Sequence, residues 1–125
     1  MVKINTKLRD YKDLIAWQKS YQMCRTVYQI TENFPRKEQF GLTSQIRRSA
    51  LSVPSNIAEG YTRHSTQDYI RFLYIAYSSL AELETQLMLS KDLNYIDQTV
   101  YAKIESLTRE VQRIMMALIK SLKSL

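Results

Sequence analysis

Ile46-Arg47-Arg48-Ser49-Ala50-Leu51-Ser52-Val53-Pro54-Ser55-Asn56-Ile57-Ala58-Glu59-Gly60 carries apolar or small residues at 46, 50, 53, 57 and 60. Steps of four and three return a side chain to one face of an α-helix, so the stretch predicts a helix with a single buried seam. The seam keeps its phase across Pro54, which predicts one kinked helix rather than two. Proline removes an amide donor and crowds the preceding turn. Ser49, Ala50, Ser52, Ser55, Ala58 and Gly60 are small and permit another helix to approach closely.

The same period recurs on either side. Upstream, Leu14, Trp17, Tyr21, Cys24 and Tyr28 form a first seam. Downstream, Tyr69, Leu73, Ala76, Leu80, Leu83 and Leu87 form a third, and Val100, Ile104, Leu107, Val111, Ile114 and Leu118 a fourth, continued by Leu122 and Leu125. Asp10 or Asp13 caps the first predicted helix, which ends before Phe34-Pro35. Ser65 with Asp68 forms a predicted capping box for the third helix, which runs to about Lys91, and Asp97 caps the fourth. The chain has only two glycines and two prolines, so long helices joined by short connections are expected. Short connections make neighbours antiparallel. The predicted fold is all-α, an antiparallel up-down four-helix bundle. One domain is expected over residues 1–125, with residues 1–9 as a loose basic tail.

Helix three holds more apolar surface than one seam needs. From Tyr69 to Leu80 only Arg71 is charged; Ile70, Tyr74 and Tyr77 make a second stripe, and Phe72 and Ile75 lie on a third side. Burial on several sides implies a wide core or a neighbouring subunit, and self-association is the expectation.

Eighteen Lys and Arg face twelve Asp and Glu, for a net charge of +6, a balance that attracts polyanions. Cys24 is the only cysteine, which excludes an intrachain disulfide; on a helix seam it reads as core. No apolar run of about twenty residues spans a membrane, and the N-terminal residues lack a signal peptide's apolar stretch. A cytoplasmic protein is expected. His64 is the sole histidine, and no nucleophile elbow, phosphate loop or Glu-x-x-His motif occurs. No catalytic residue, metal or cofactor is assigned, and an enzyme is not expected.

Polar residues interrupt the apolar stretches. Buried charges need partners, so Arg48 is expected to pair with Glu59 or Glu82 while Asn56 fills hydrogen bonds. The competing reading directs arginines to phosphate. For Arg47, Arg63 and Arg71 the two readings stand level. On helix four, Lys103, Arg113 and Lys120 roughly share a face, either solvated or nucleic-acid-binding, with Glu105 and Glu110 diluting the charge elsewhere.

Gln45 to Gly60, with its Arg47-Arg48-Ser49-Ala50 and Val53-Pro54-Ser55-Asn56-Ile57-Ala58-Glu59-Gly60, closely resembles the four-helix-bundle family named for proteins encoded in 23S rRNA intervening sequences. Asp13-Leu14-Ile15-Ala16-Trp17-Gln18-Lys19 resembles that family's first helix. Phe34-Pro35 with Glu38, Gly41-Leu42-Thr43-Ser44-Gln45, Tyr69-Ile70-Arg71-Phe72-Leu73 and Ala81-Glu82-Leu83-Glu84-Thr85 are similar too. The match spans about Asp13 to Asp97. The resemblance implies a small bundle assembling as a homopentamer, a ring or barrel. Some relatives accompany ribosomal RNA insertions, the source of a ribosomal-protein label. Related accessory proteins of diversity-generating retroelements bind nucleic acid and a reverse transcriptase. Ala76-Tyr77-Ser78-Ser79 departs from the family pattern, which has a basic residue, glycine and serine after an alanine.

The expectation is a non-enzymatic oligomeric bundle that binds RNA or DNA through Arg47, Arg48, Arg63, Arg71, Lys103, Arg113 and Lys120. Pro54, Asn56, Glu59, Gly60 and Glu82 serve as structural motif. The alternative is a protein-interaction scaffold whose basic charge is incidental.

Overall fold

A computed structural model describes residues 9–125. Of the basic tail expected at residues 1–9, all but Arg9 lies outside the described residues. Arg9 donates its backbone N–H to Asp13 Oδ2 at 2.8 Å. Asp10 and Asp13 do not cap the first α-helix as expected: they close a capping box around a 3-10 turn, Tyr11–Asp13. Helix α1 (Ile15–Thr31) then starts at Leu14 without a side-chain cap. After a second 3-10 turn, Arg36–Glu38, come α2 (Leu42–Tyr61), α3 (Thr66–Asp92) and α4 (Gln98–Lys123).

Helix α2 packs against α1 and α3, and α4 against the same two, so that α1 and α3, and α2 and α4, lie diagonally across the core. With such short connections this is an up-down four-helix bundle around one core. Ser65 accepts from the Asp68 N–H at 3.1 Å. Asp68 turns its carboxylate to Arg71 instead, so only Ser65's half of the expected capping box forms. Asp97 caps α4 as predicted, through Val100 N at 2.8 Å. Helix α3 ends where Asn94 adopts φ 63°; Asn94 and Tyr95 return their N–H groups to Lys91 and Ser90. Asparagine tolerates this left-handed conformation better than most residues, and the paired bonds satisfy terminal carbonyls.

The seams of α2 and α3 are buried throughout as expected. Helix α2 runs unbroken through Pro54, which is itself buried. Gly60 explains the close approach of α2 and α3: a Cβ there would sit 2.9 Å from Phe72 Cβ and 3.2 Å from the Tyr69 carbonyl oxygen. Both neighbours are fixed parts of the α3 framework, so neither can step aside.

The other two seams are rotated from their predicted phase. In α1 the buried stripe is Ala16, Ser20, Met23, Cys24, Val27 and Thr31, whereas Tyr21 is 46% and Tyr28 38% exposed. Ser20 and Thr31 lie in the core at low cost because their hydroxyls donate to the Trp17 and Val27 carbonyls. In α4 the stripe is Tyr101, Ile104, Thr108, Val111, Met115, Ile119 and Leu122. Val100, Leu107, Ile114 and Leu118 form its half-buried shoulder, and Leu125 is exposed. Some of the extra apolar surface of α3 is absorbed, with Phe72 buried and Ile70 and Tyr77 packed on the core. Tyr74, Ile75, Met88 and Leu89 remain exposed. No helix is long and apolar enough to cross a membrane among the described residues.

Candidate nucleic-acid interface

The seven basic residues expected at an interface separate into two groups. Arg47 is committed to the fold. Its Nε donates to Thr31 Oγ1 at 2.8 Å and its Nη2 to the Tyr28 carbonyl at 3.3 Å, with the guanidinium 4.7 Å from the Tyr28 ring centroid. Arg63 and Arg71 flank one ring, 4.5 and 4.6 Å from the Phe72 centroid. Each also holds a carboxylate of its own helix end: Arg63 pairs with Glu59 at 2.6 Å and Arg71 with Asp68 at 3.1 Å.

The expected Arg48 pairs are not formed. Glu59 is four residues before Arg63, one helical turn, and that local partner takes it. Arg48 and Glu82 are both exposed and share the wall of a groove between α2 and α3, without an ion pair. The groove floor is Ser49, Ser52 and Ser79, and exposed Phe40 stands at its rim. Asn56 does fill hydrogen bonds, donating to the Ser52 carbonyl at 2.8 Å and the Ser52 hydroxyl at 2.9 Å. The Ser52 hydroxyl also meets that of Ser79 at 2.8 Å, joining α2 to α3.

Helix α4 presents the second group. Lys103, Arg113 and Lys120 are exposed. Seven residues separate Arg113 from Lys120, so they project in nearly the same direction, with Lys103 roughly 80° around the helix. The carboxylates of α4 are engaged with other bases: Glu105 with Arg109 at 3.3 Å, and Glu110 with Lys19 of α1 at 3.3 Å. No carboxylate among the described residues pairs with Lys103, Arg113 or Lys120. Arg25 on α1 and Arg36 and Lys37 in the connection are further exposed cations, without an ion pair among the described residues, that the spacing did not single out. Their signal was only their charge, in segments read as core seam and loop.

The titrating groups mark structural ties. Glu38 receives the Tyr95 hydroxyl at 2.8 Å and the Leu42 N–H at 3.2 Å, bonds that lower its pKa. Burial raises the Cys24 thiol, in keeping with its core position. Burial also raises Tyr69 strongly.

The family model for 23S rRNA-intervening sequence proteins matches residues 12–117. Among solved structures, a protein of unknown function from the S23 ribosomal protein family of Bacteroides thetaiotaomicron VPI-5482 is similar at 28% identity and a TM-score of 0.77. The match covers 85% of this chain and 99% of that one. No curated protein matches.

Proposed function

From the premise that this chain belongs to the 23S rRNA-intervening sequence protein family, we propose that it is a non-enzymatic, self-associating cytoplasmic bundle that binds nucleic acid, foremost RNA. One observation carries the reading. On α4, the acids are already held by Arg109 and Lys19, while Lys103, Arg113 and Lys120 stand exposed, without an ion pair among the described residues. Cations left unneutralised by their own protein are available to displace counterions from phosphate. Arg48 is available in the same way; Arg47, Arg63 and Arg71 have intramolecular work. The family resemblance supports five subunits.

The test is RNA retention by the purified protein across a salt series. Affinity falling steeply with salt supports the reading. A flat response, or no retention at low salt, overturns it.

A second reading has its own observation. Phe40 is 90% exposed beside the α2–α3 groove, and Ile75, Met88 and Leu89 of α3 are open to solvent. Apolar surface of this kind favours a protein contact, either with another copy of the chain or with a protein such as a reverse transcriptase. Capture of one protein that persists through nuclease treatment and high salt favours the scaffold over the nucleic-acid reading.

A further inference from the structure

Tyr21 projects from α1 as part of an aromatic row. Its ring stacks on Trp17 with centroids 4.8 Å apart and planes 16° from parallel. Trp17 in turn meets Tyr11 edge-on, at 5.4 Å and 66°. Trp17 is half-buried against the core, whereas Tyr21 is 46% exposed. The indole therefore backs the phenol ring and holds it flat while much of the ring stays in water.

The charges around this row favour an anionic ligand. Arg25, one turn beyond Tyr21, is exposed and has no ion pair among the described residues. The Lys12 ammonium sits 5.8 Å from the Tyr11 centroid. The acids of the same segment are taken up in capping the 3-10 turn. Asp10 accepts from the Lys12 N–H at 2.7 Å, and Asp13 from those of Arg9 and Asp10 at 2.8 and 3.4 Å.

We propose that Tyr21 is a stacking platform for an unpaired base of single-stranded nucleic acid, with Arg25 one turn along α1 and Lys12 at the Tyr11 end of the row for the neighbouring phosphates. A flat, backed aromatic next to cations is the arrangement that binds single strands without reading sequence. A duplex keeps its bases stacked inside and cannot use it. The inference rests on the nucleic-acid reading above and narrows it to single strands.

Trp17 is the only tryptophan, so its fluorescence reports on this row. The experiment titrates the full-length protein with single-stranded oligoadenylate and with duplex RNA of equal length at low salt, comparing the wild type with Tyr21→Ala and Tyr21→Phe. The expected result is a Trp17 fluorescence change with the single strand, and a loss of roughly tenfold in single-strand affinity for Tyr21→Ala. Tyr21→Phe keeps the affinity, and duplex binding is equal in all three. If Tyr21→Ala binds single strands like the wild type, the platform is overturned while the nucleic-acid reading stands. The same holds if light scattering shows that Tyr21→Ala lowers the assembly state without changing RNA affinity, because a second copy then covers the ring. If the wild type binds neither RNA, both fall.

Discussion

Arg47 donates its Nε–H to the Thr31 hydroxyl at 2.8 Å, tying the first turns of α2 to the last turn of α1. Thr31 is buried and already donates to the Val27 carbonyl at 2.8 Å. Its oxygen is thus donor within its own helix and acceptor between helices. The guanidinium also covers the Tyr28 ring, so one side chain anchors the corner that the first connection must turn.

Arg47→Ala is therefore expected to cost about 1–2 kcal/mol, from the lost hydrogen bond to a buried hydroxyl, a longer exposed one to the Tyr28 carbonyl and one lost ring contact. Arg48→Ala, beside it in sequence but exposed and without an ion pair among the described residues, is expected to stay within about 0.5 kcal/mol of wild type. Urea unfolding of the two variants checks the contrast. Equal stabilities would mean that the Arg47 contacts are energetically idle.

Gly60→Ala is expected to destabilise by about 1–3 kcal/mol, because the new methyl meets Phe72 Cβ at 2.9 Å and Tyr69 Cδ1 at 3.1 Å. Every residue but glycine has a Cβ, so Phe72→Ala should not rescue it. A double variant as stable as Phe72→Ala alone would show that the α2–α3 spacing is looser than described.

Glu38 should make stability depend on acid. The Tyr95 hydroxyl and Leu42 N–H favour its charged form and hold it below its ordinary value of 4.5. A lowered carboxyl stabilises the fold above the unfolded-state value and loses that contribution as pH falls through the folded value. Thermal melts should decline below about pH 4.5, and Glu38→Gln should soften the decline. The same bond, followed by burial, raises Tyr95 above 10.0, so its contribution is present below pH 10.0 and fades as pH rises past the folded value. An unchanged acid limb in Glu38→Gln would refute the assignment.

Regular spacing revealed α2 and α3 because apolar or small side chains fill every step from Ile46 to Gly60 and from Tyr69 to Leu87, with the buried hydroxyl residues Thr43, Ser49, Ser79 and Ser90 beside or beyond that row. In α1 and α4 the core face includes Ser20, Thr31 and Thr108, whose hydroxyls are satisfied by their own helix. Period counting on large residues then locked onto the shoulders: Trp17, Tyr21 and Tyr28 in one helix, Leu107, Ile114 and Leu118 in the other. Residue type could not distinguish a ring in the core from a ring beside it. The cations were legible as charges, but their partners depended on which helix end lay nearest. Glu59 with Arg63 followed the four-residue rule; Arg47 with Thr31 required the bundle to close first.

The α4 face yields the sharpest functional prediction. Lys103→Gln, Arg113→Gln and Lys120→Gln together change the net charge from +6 to +3, that is 6 − 3, at exposed positions with no ion pair among the described residues. Folding stability should shift by no more than about 0.5 kcal/mol per site. If all three meet phosphate, the slope of log affinity against log salt for single-stranded RNA should shrink by about 2, at about 0.7 for each contact removed. Arg63→Gln and Arg71→Gln should leave that slope nearly unchanged, because Glu59 and Asp68 already hold those guanidiniums. A slope that is unmoved by the triple change but falls with Arg63→Gln would shift the interface from α4 to the turn between α2 and α3.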